Sequence, residues 1–192
     1  MNIDLFSLKD KVVVVSGGMG QLGTQFTRAL TKAGAKISIF DITVEKSIIN
    51  EKFGDLIKKN EVIIVDCDIT SRESIENALK ITVDCWNKIP YGLVNNAALD
   101  SPPDASAYEN GPFEDYPESS WDKVMEVNSK GVFLSCQVIG GAMAKLGRGS
   151  IINISSTYGI VSPKQQIYEY SRTETEQFYK PVAYSASKSS LL

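Results

Sequence analysis

The 192-residue chain contains no histidine. That absence removes Ser-His-Asp hydrolysis, Cys-His proteolysis, zinc sites of the HExxH kind and imidazole acid–base catalysis together. Any chemistry must rest on Tyr, Lys, Asp, Glu, Ser or a bound cofactor. Cysteine is nearly as scarce. Cys67, Cys85 and Cys136 show no CxxC spacing and leave an odd count, which argues against a disulfide framework or a zinc site. The three are read as small buried hydrophobes. A charge excess is missing too. Twenty basic against 23 acidic side chains give −3, so neither nucleic acid nor an anionic membrane is an expected partner. No apolar run approaches the length of a membrane span, and the first residues lack the basic start and cleavage site of a signal peptide. The expected location is the cytoplasm.

With 43% hydrophobic and 22% charged residues, the composition is that of a globular protein of one domain. Short apolar runs alternate with helical stretches, which predicts βαβ units around a parallel sheet. Strands are expected at Lys11–Ser16, Lys36–Asp41, Glu61–Asp66, Tyr91–Asn95 and Ser150–Ser155. Between them the pattern predicts helices over Gln21–Ala33, Thr43–Lys59 with a break at Gly54, Ser71–Trp86, and about Ser119–Leu146. The first of these should bury Leu22, Phe26, Ala29, Leu30 and Ala33. Leu99–Glu118 is an acidic, proline-rich loop, expected to be solvated.

Several residues along this frame carry chemistry. The first strand runs through Ser16-Gly17-Gly18-Met19-Gly20-Gln21-Leu22-Gly23 directly into a helix. Glycines there let the backbone turn tightly and approach a diphosphate, whose charge meets the helix N-terminus. Asp41 ends the second strand, 18 residues after Gly23, where a carboxylate can accept hydrogen bonds from a ribose diol and repel a 2′-phosphate. No basic residue follows it immediately, so NAD is expected over NADP. Asn128 is a poor residue for a helix interior, and its presence there predicts a local distortion. Tyr184 and Lys188, four apart on a helix, share one face, where an ammonium can favour loss of the phenol's proton.

With these motifs the chain resembles the short-chain dehydrogenase/reductase superfamily over nearly its whole length. The TGxxxGxG turn of that family appears as Ser16-Gly17 to Gly23, with Gln21 in place of one glycine; its NNAG motif appears as Asn95-Asn96-Ala97-Ala98. The resemblance implies a doubly wound α/β sheet of the Rossmann type over residues 1–192. It also implies a hydride-transferring oxidoreductase acting on an alcohol or carbonyl of a small molecule. Cofactor contacts are implied at Gly17, Met19, Gly20, Gln21, Leu22, Gly23, Asp41, Asp68, Ile69, Asn96, Ala97 and Ala98, besides Tyr184 and Lys188. Tyr184 would be the general acid/base and Ser156 would hold the substrate oxygen. Asn128 would kink its helix and support a water linked to Lys188.

The 28 residues from Ser156 to Tyr184 exceed the short loop usual in that family. The extra tyrosine-rich stretch, Thr157–Lys180, resembles the branch associated with flagellin modification and nonulosonic-acid sugars. A complete member carries two further strands with their helices, so the resemblance implies a C-terminally truncated chain. Ser150–Ser155 would then be an apolar sheet edge, and the parent enzyme a homodimer or homotetramer. Two other readings fit parts of the pattern: a nucleotide-sugar epimerase or dehydratase, and a non-catalytic NAD-binding fragment.

Overall fold

Four consecutive valines open the sheet. Val12–Val15 form, with Ser16, the strand β1 (Val12–Ser16), in which every residue is buried. β-Branched side chains suit a strand covered on both faces, which is why the run reads as continuous rather than alternating. The computed structural model describes residues 5–100, 107–171 and 178–192. It comprises two compact units, residues 1–97 with 133–152, and residues 98–132 with 153–192.

The first unit carries the sheet, in the order β3-β2-β1-β4-β5. Its strands are β1, β2 (Lys36–Asp41), β3 (Val62–Asp66), β4 (Gly92–Asn95) and β5 (Ser150–Asn153), the last residue of which belongs to the second unit. β1 lies parallel to both β2 and β4, so the winding reverses beside it. Open α/β sheets bind ligands at the carboxyl ends of strands flanking such a reversal. β5 is exposed along its length, with Ile151 and Ile152 open to solvent, as expected of an apolar edge.

Helix α1 (Gln21–Lys32) packs differently from its apolar pattern. Its buried residues are Gly23 and Thr27, whereas Leu22 is 55% exposed and Ala29 is also exposed. The stripe is rotated because Gly23 has no side chain and lets the helix backbone sit against the turn. A Cβ there would lie 2.2 Å from the Gly17 carbonyl oxygen. Helix α2 (Lys46–Lys58) starts later than the sequence pattern predicts and passes through Gly54 without a break. Its late start follows from Asp41, whose Oδ1 accepts the Thr43 N–H at 2.9 Å and holds residues 41–43 in a turn. Helix α3 (Arg72–Trp86) is capped by Ser71, which accepts the Ser74 N–H. It buries Ile75, Ala78, Thr82 and Trp86. Cys85 lies on the flank of that stripe and is exposed, so it is not the buried hydrophobe expected, while Cys67 is buried and Cys136 half-buried. Cys67 fits the expectation, and burial pushes its thiol up to about 11.

The predicted long helix is realised in pieces. Helix α4 (Glu118–Met125) leads into a π turn over Glu126–Gly131, then α5 (Val132–Ser135), a second π turn over Cys136–Gly140, and α6 (Gly141–Lys145). In the second unit, 3₁₀ turns over Thr157–Gly159 and Gln165–Ser171 precede α7 (Val182–Ser189). Residues 101–106 of the acidic loop and 172–177 of the extended segment lie outside the described residues. Among the described residues no helix is long and apolar enough to cross a membrane.

Two outcomes test this packing. Gly23→Ala should lower stability by about 1–3 kcal/mol in urea denaturation, because the added methyl must push the turn from the helix. Alkylation at about pH 8 should modify exposed Cys85 readily and leave Cys67 intact, since only about a thousandth of a thiol titrating near 11 is thiolate there.

Candidate functional site

In the first unit the glycine turn is held from two sides. Gly17 has φ +64° and sits so close to the end of β4 that a Cβ would fall 2.7 Å from Ala97 Cα. Ser16 Oγ accepts the main-chain N–H groups of Asn96 and Ala97 at 3.1 and 3.2 Å. Asn96 Nδ2 donates back to the carbonyls of Ser16 and Gly17 at 3.1 and 2.9 Å. The turn and the Asn96-Ala97 segment are thus tied together at the exit of β1, where the winding reverses.

Asp41 grips the same turn. Its Oδ2 accepts the Met19 N–H at 2.9 Å, while Oδ1 takes Thr43. Each oxygen keeps acceptor capacity for a further donor such as a sugar hydroxyl. Helix α1 begins at Gly20 with no side-chain cap and no acidic residue in its first turn. Its first N–H groups are therefore left for an anion, and the glycine cradle offers the close backbone approach a diphosphate needs. These residues fit a dinucleotide. Gln21 and Leu22 are exposed in that first turn, and Met19 is buried. Asp68 is exposed and closes an Asx turn, its Oδ1 accepting Thr70 N–H and Oγ1–H at 2.8 Å each, whereas the Ile69 side chain is buried.

Two residues of this half escaped the sequence reading. Lys52 Nζ, from α2, donates to the Met19 carbonyl, so Met19 is held at its N–H by Asp41 and at its oxygen by Lys52. Arg28 in turn donates to the Lys52 carbonyl. Lys52 lies 11 residues beyond Asp41, too far for a rule that inspects only the next position.

The second unit holds the other candidates. Asn128 is fully buried inside the π turn, the distortion its residue type predicts. Its Oδ1 accepts the Leu99 N–H at 2.7 Å, and Nδ2 donates to the Leu99 carbonyl at 2.8 Å and to Ser187 Oγ at 2.9 Å. Both amide hydrogens are spent on protein, so this side chain pins Leu99 and α7 and has no hydrogen left to donate to a water. Ala98, beside Leu99, is exposed. Lys188 is buried and donates to the Ile154 carbonyl at 2.7 Å, and burial lowers its pKa from the usual lysine range. Its Nζ lies 5.9 Å from the centre of the half-buried Tyr184 ring. Ser156 is half-buried and accepts the Tyr158 N–H at 3.2 Å.

Ser155 was also missed. Its Oγ donates to the Lys188 carbonyl at 2.7 Å, so residues 154 and 155 both clip the chain to α7. The serine pair 155–156 carried the signal, but residue type alone gives no way to divide the two roles. The extended segment brings a pair of phenols together, Tyr158 and Tyr168, with oxygens 2.8 Å apart. Desolvation first, and then the bond to Tyr158, push the Tyr168 phenol up to about 12.

The family model for short chain dehydrogenases matches residues 11–182, across both units. The chain belongs to the short chain dehydrogenase family. An NAD-dependent glycerol dehydrogenase of Listeria innocua serovar 6a is 29% identical over 187 residues, covering 97% of this chain and 63% of that enzyme. A 3-alpha-(or 20-beta)-hydroxysteroid dehydrogenase of Mycobacterium bovis is 32% identical over 151 residues, covering 78% and 53%. Among solved structures, a short chain dehydrogenase of Leptospira borgpetersenii with bound NAD+ superposes with a TM-score of 0.76 at 25% identity, over 100% of this chain and 66% of that one. The chain therefore spans less than two thirds of the length of each.

Within the short chain dehydrogenase fold, Asn128 is costly to lose because it makes three hydrogen bonds from a buried position. Asn128→Ala should destabilise by about 3 kcal/mol in chemical denaturation, since it strands the half-buried Leu99 main chain and the buried Ser187 hydroxyl. Ser129→Ala, which gives up one exposed hydroxyl pair with Ser190, should cost under about 1 kcal/mol.

Proposed function

We propose that this chain is the dinucleotide-binding and proton-handling part of an NAD-dependent dehydrogenase or reductase acting on an alcohol or carbonyl of a small molecule. The observation that carries the reading is the buried Lys188 ammonium one helical turn from Tyr184, clipped in place by Ile154 and Ser155. A module that only bound a dinucleotide would need the glycine turn and Asp41 and would gain nothing from a desolvated lysine. NAD is supported by Asp41 and by the NAD dependence of the Listeria relative. When bound, it supplies the acceptor or donor of the hydride.

In this reading Asp41 takes the adenosine ribose hydroxyls, and the main-chain N–H groups after Gly20 take the diphosphate. Gly17, Met19, Gly20, Gln21, Leu22, Gly23, Asp68, Ile69, Asn96, Ala97 and Ala98 complete the cofactor contacts. Tyr184 Oη takes the hydroxyl proton as the alcohol is oxidised and returns it to the same oxygen as the carbonyl is reduced. Lys188 favours the ionised phenol and meets the nicotinamide ribose. Ser156 Oγ orients the substrate oxygen, and Asn128 keeps α7 and Leu99 in register for it. The family match across both units supports one domain over 1–192.

The substrate is proposed to be a polyol or sugar derivative, in keeping with the tyrosines of the segment 158–180. The sugar-modification branch is the narrower form of that proposal and rests on the same segment. The whole enzyme is proposed to extend past the part described here, to cover the Ile151 and Ile152 edge, and to assemble as a homodimer or homotetramer in the cytoplasm. The exposure of β5 supports the covered edge.

Spectrophotometric assay of NADH formation with glycerol and other polyols tests the reading. Tyr184→Phe should reduce turnover by about a thousandfold, and Asp41→Ala should raise the KM for NAD. Undiminished turnover in Tyr184→Phe would remove the mechanism.

A further inference from the structure

We propose that Lys52 is a positioning residue for the cofactor turn, one that fixes the Met19–Gly20 peptide so that α1 presents its first N–H groups to a diphosphate. The inference deepens the dinucleotide reading of the glycine turn and rests on it. The Lys52 ammonium, from α2, donates to the Met19 carbonyl on the peptide that enters Gly20. The peptide before it is held by Asp41, whose Oδ2 accepts the Met19 N–H at 2.9 Å. A carboxylate from β2 and an ammonium from α2 therefore grip one residue at both of its main-chain groups.

The composition of the turn makes such a grip necessary. Met19 lies between Gly18 and Gly20, and glycine loses more conformational freedom on ordering than any other residue. Gly20 is also the residue from which α1 starts, and it has no side chain to fix the direction of the helix. Its own N–H donates to the Gly17 carbonyl at 3.2 Å, the long end of the range for such bonds. Released at Met19, the 19–20 peptide would rotate at little steric cost, and the N–H groups of Gln21 and Leu22 would swing with it.

Lys52 is itself held for this task. The residue is half-buried, and Arg28 of α1 donates to its carbonyl. The Arg28 guanidinium also lies 5.8 Å from the ring centre of Phe53, which is fully buried. Turn, α1 and α2 are thereby joined in one circuit through Met19, Lys52 and Arg28. Lys52 forms no ion pair among the described residues, so contact with a carboxylate does not cancel its charge. An ammonium makes a stronger bond to a carbonyl than a neutral donor does, and its charge adds to the positive end of the α1 dipole. Order set in the free protein is order that binding does not have to supply, and it appears as affinity.

The test is calorimetric binding of NAD and of ADP-ribose to the full chain, with amide exchange of the free chain read by NMR. Lys52→Met should raise the Kd for both ligands about tenfold, since both carry the diphosphate. Lys52→Arg should restore most of the affinity. Lys58→Met, which removes an exposed ammonium from the same helix, should leave the Kd unchanged. In the free chain the Gly20 N–H should exchange about tenfold faster in Lys52→Met. Denaturation curves check that each variant is folded, and Lys52→Gln carries the same expectations should Lys52→Met fail to fold. An unchanged Kd or an unchanged Gly20 exchange would overturn the proposal, as would an equal rise in Kd in Lys58→Met. Each of those outcomes leaves NAD binding itself in place. A raised Kd in a protein that oxidises no alcohol would keep this inference and sink the dehydrogenase reading instead. Failure of the unsubstituted chain to bind either ligand would sink the dinucleotide reading and the proposal together.

Discussion

The turn after β1 depends on main chain meeting main chain at a distance that leaves no room for a side chain. Gly23 faces the Gly17 carbonyl and Gly17 faces Ala97, both too closely for a Cβ. Such proximity would leave strand-end carbonyls and N–H groups without partners, which a buried turn cannot tolerate. Ser16 and Asn96 resolve this by exchanging hydrogen bonds across the ends of β1 and β4. The same economy leaves the first N–H groups of α1 unspent, because Gly20 offers no side chain to cap them. A rigid floor with open donors is what a diphosphate requires. The tightness of the turn and its capacity for an anion are therefore one property.

The second unit is organised around a different constraint, a polar side chain in the middle of a helix. Asn128 would destabilise a regular helix by competing for backbone groups. The π turn gives it room, and its amide then becomes the tie between Leu99 and Ser187. Ser187 also donates to the Tyr184 carbonyl, so the tie reaches the turn of α7 that carries the tyrosine. From the other side Ile154 and Ser155 hold Lys188. α7 is only eight residues long, too short to persist by its own helix propensity, and these contacts are what fix Tyr184 and Lys188 in one geometry.

The sequence made the sheet and its order of elements legible, because buried parallel strands leave unbroken runs of β-branched residues such as Val12–Val15. It made the glycine turn, Asp41 and the Tyr184–Lys188 pair legible for a similar reason: each is a local pattern. What it hid depends on contacts between distant segments. The face buried by α1 follows from Gly23 rather than from Leu22, since close approach outweighs apolar pattern. Lys52 reaches Met19 across the fold of the chain, and no spacing rule announces it. Cys85 was misjudged because residue type alone cannot say which side of a helix meets the core.

Lys188 shows what such a site costs the protein that carries it. Its ammonium is buried with a carbonyl as partner, and burial lowers its pKa below that of the unfolded chain. Between those two values the unfolded chain binds more protons than the folded one, so stability rises with pH across that window. Below the folded pKa both states are protonated and the desolvation penalty is present in full. A methionine would fill the space without that penalty, which makes the lysine a poor choice for packing. Its buried position one turn from a tyrosine fits the proton-handling role proposed for the pair. In the proposed reading, a group that is unfavourable to fold around, yet held at Ile154 and at Ser155, is there for its chemistry.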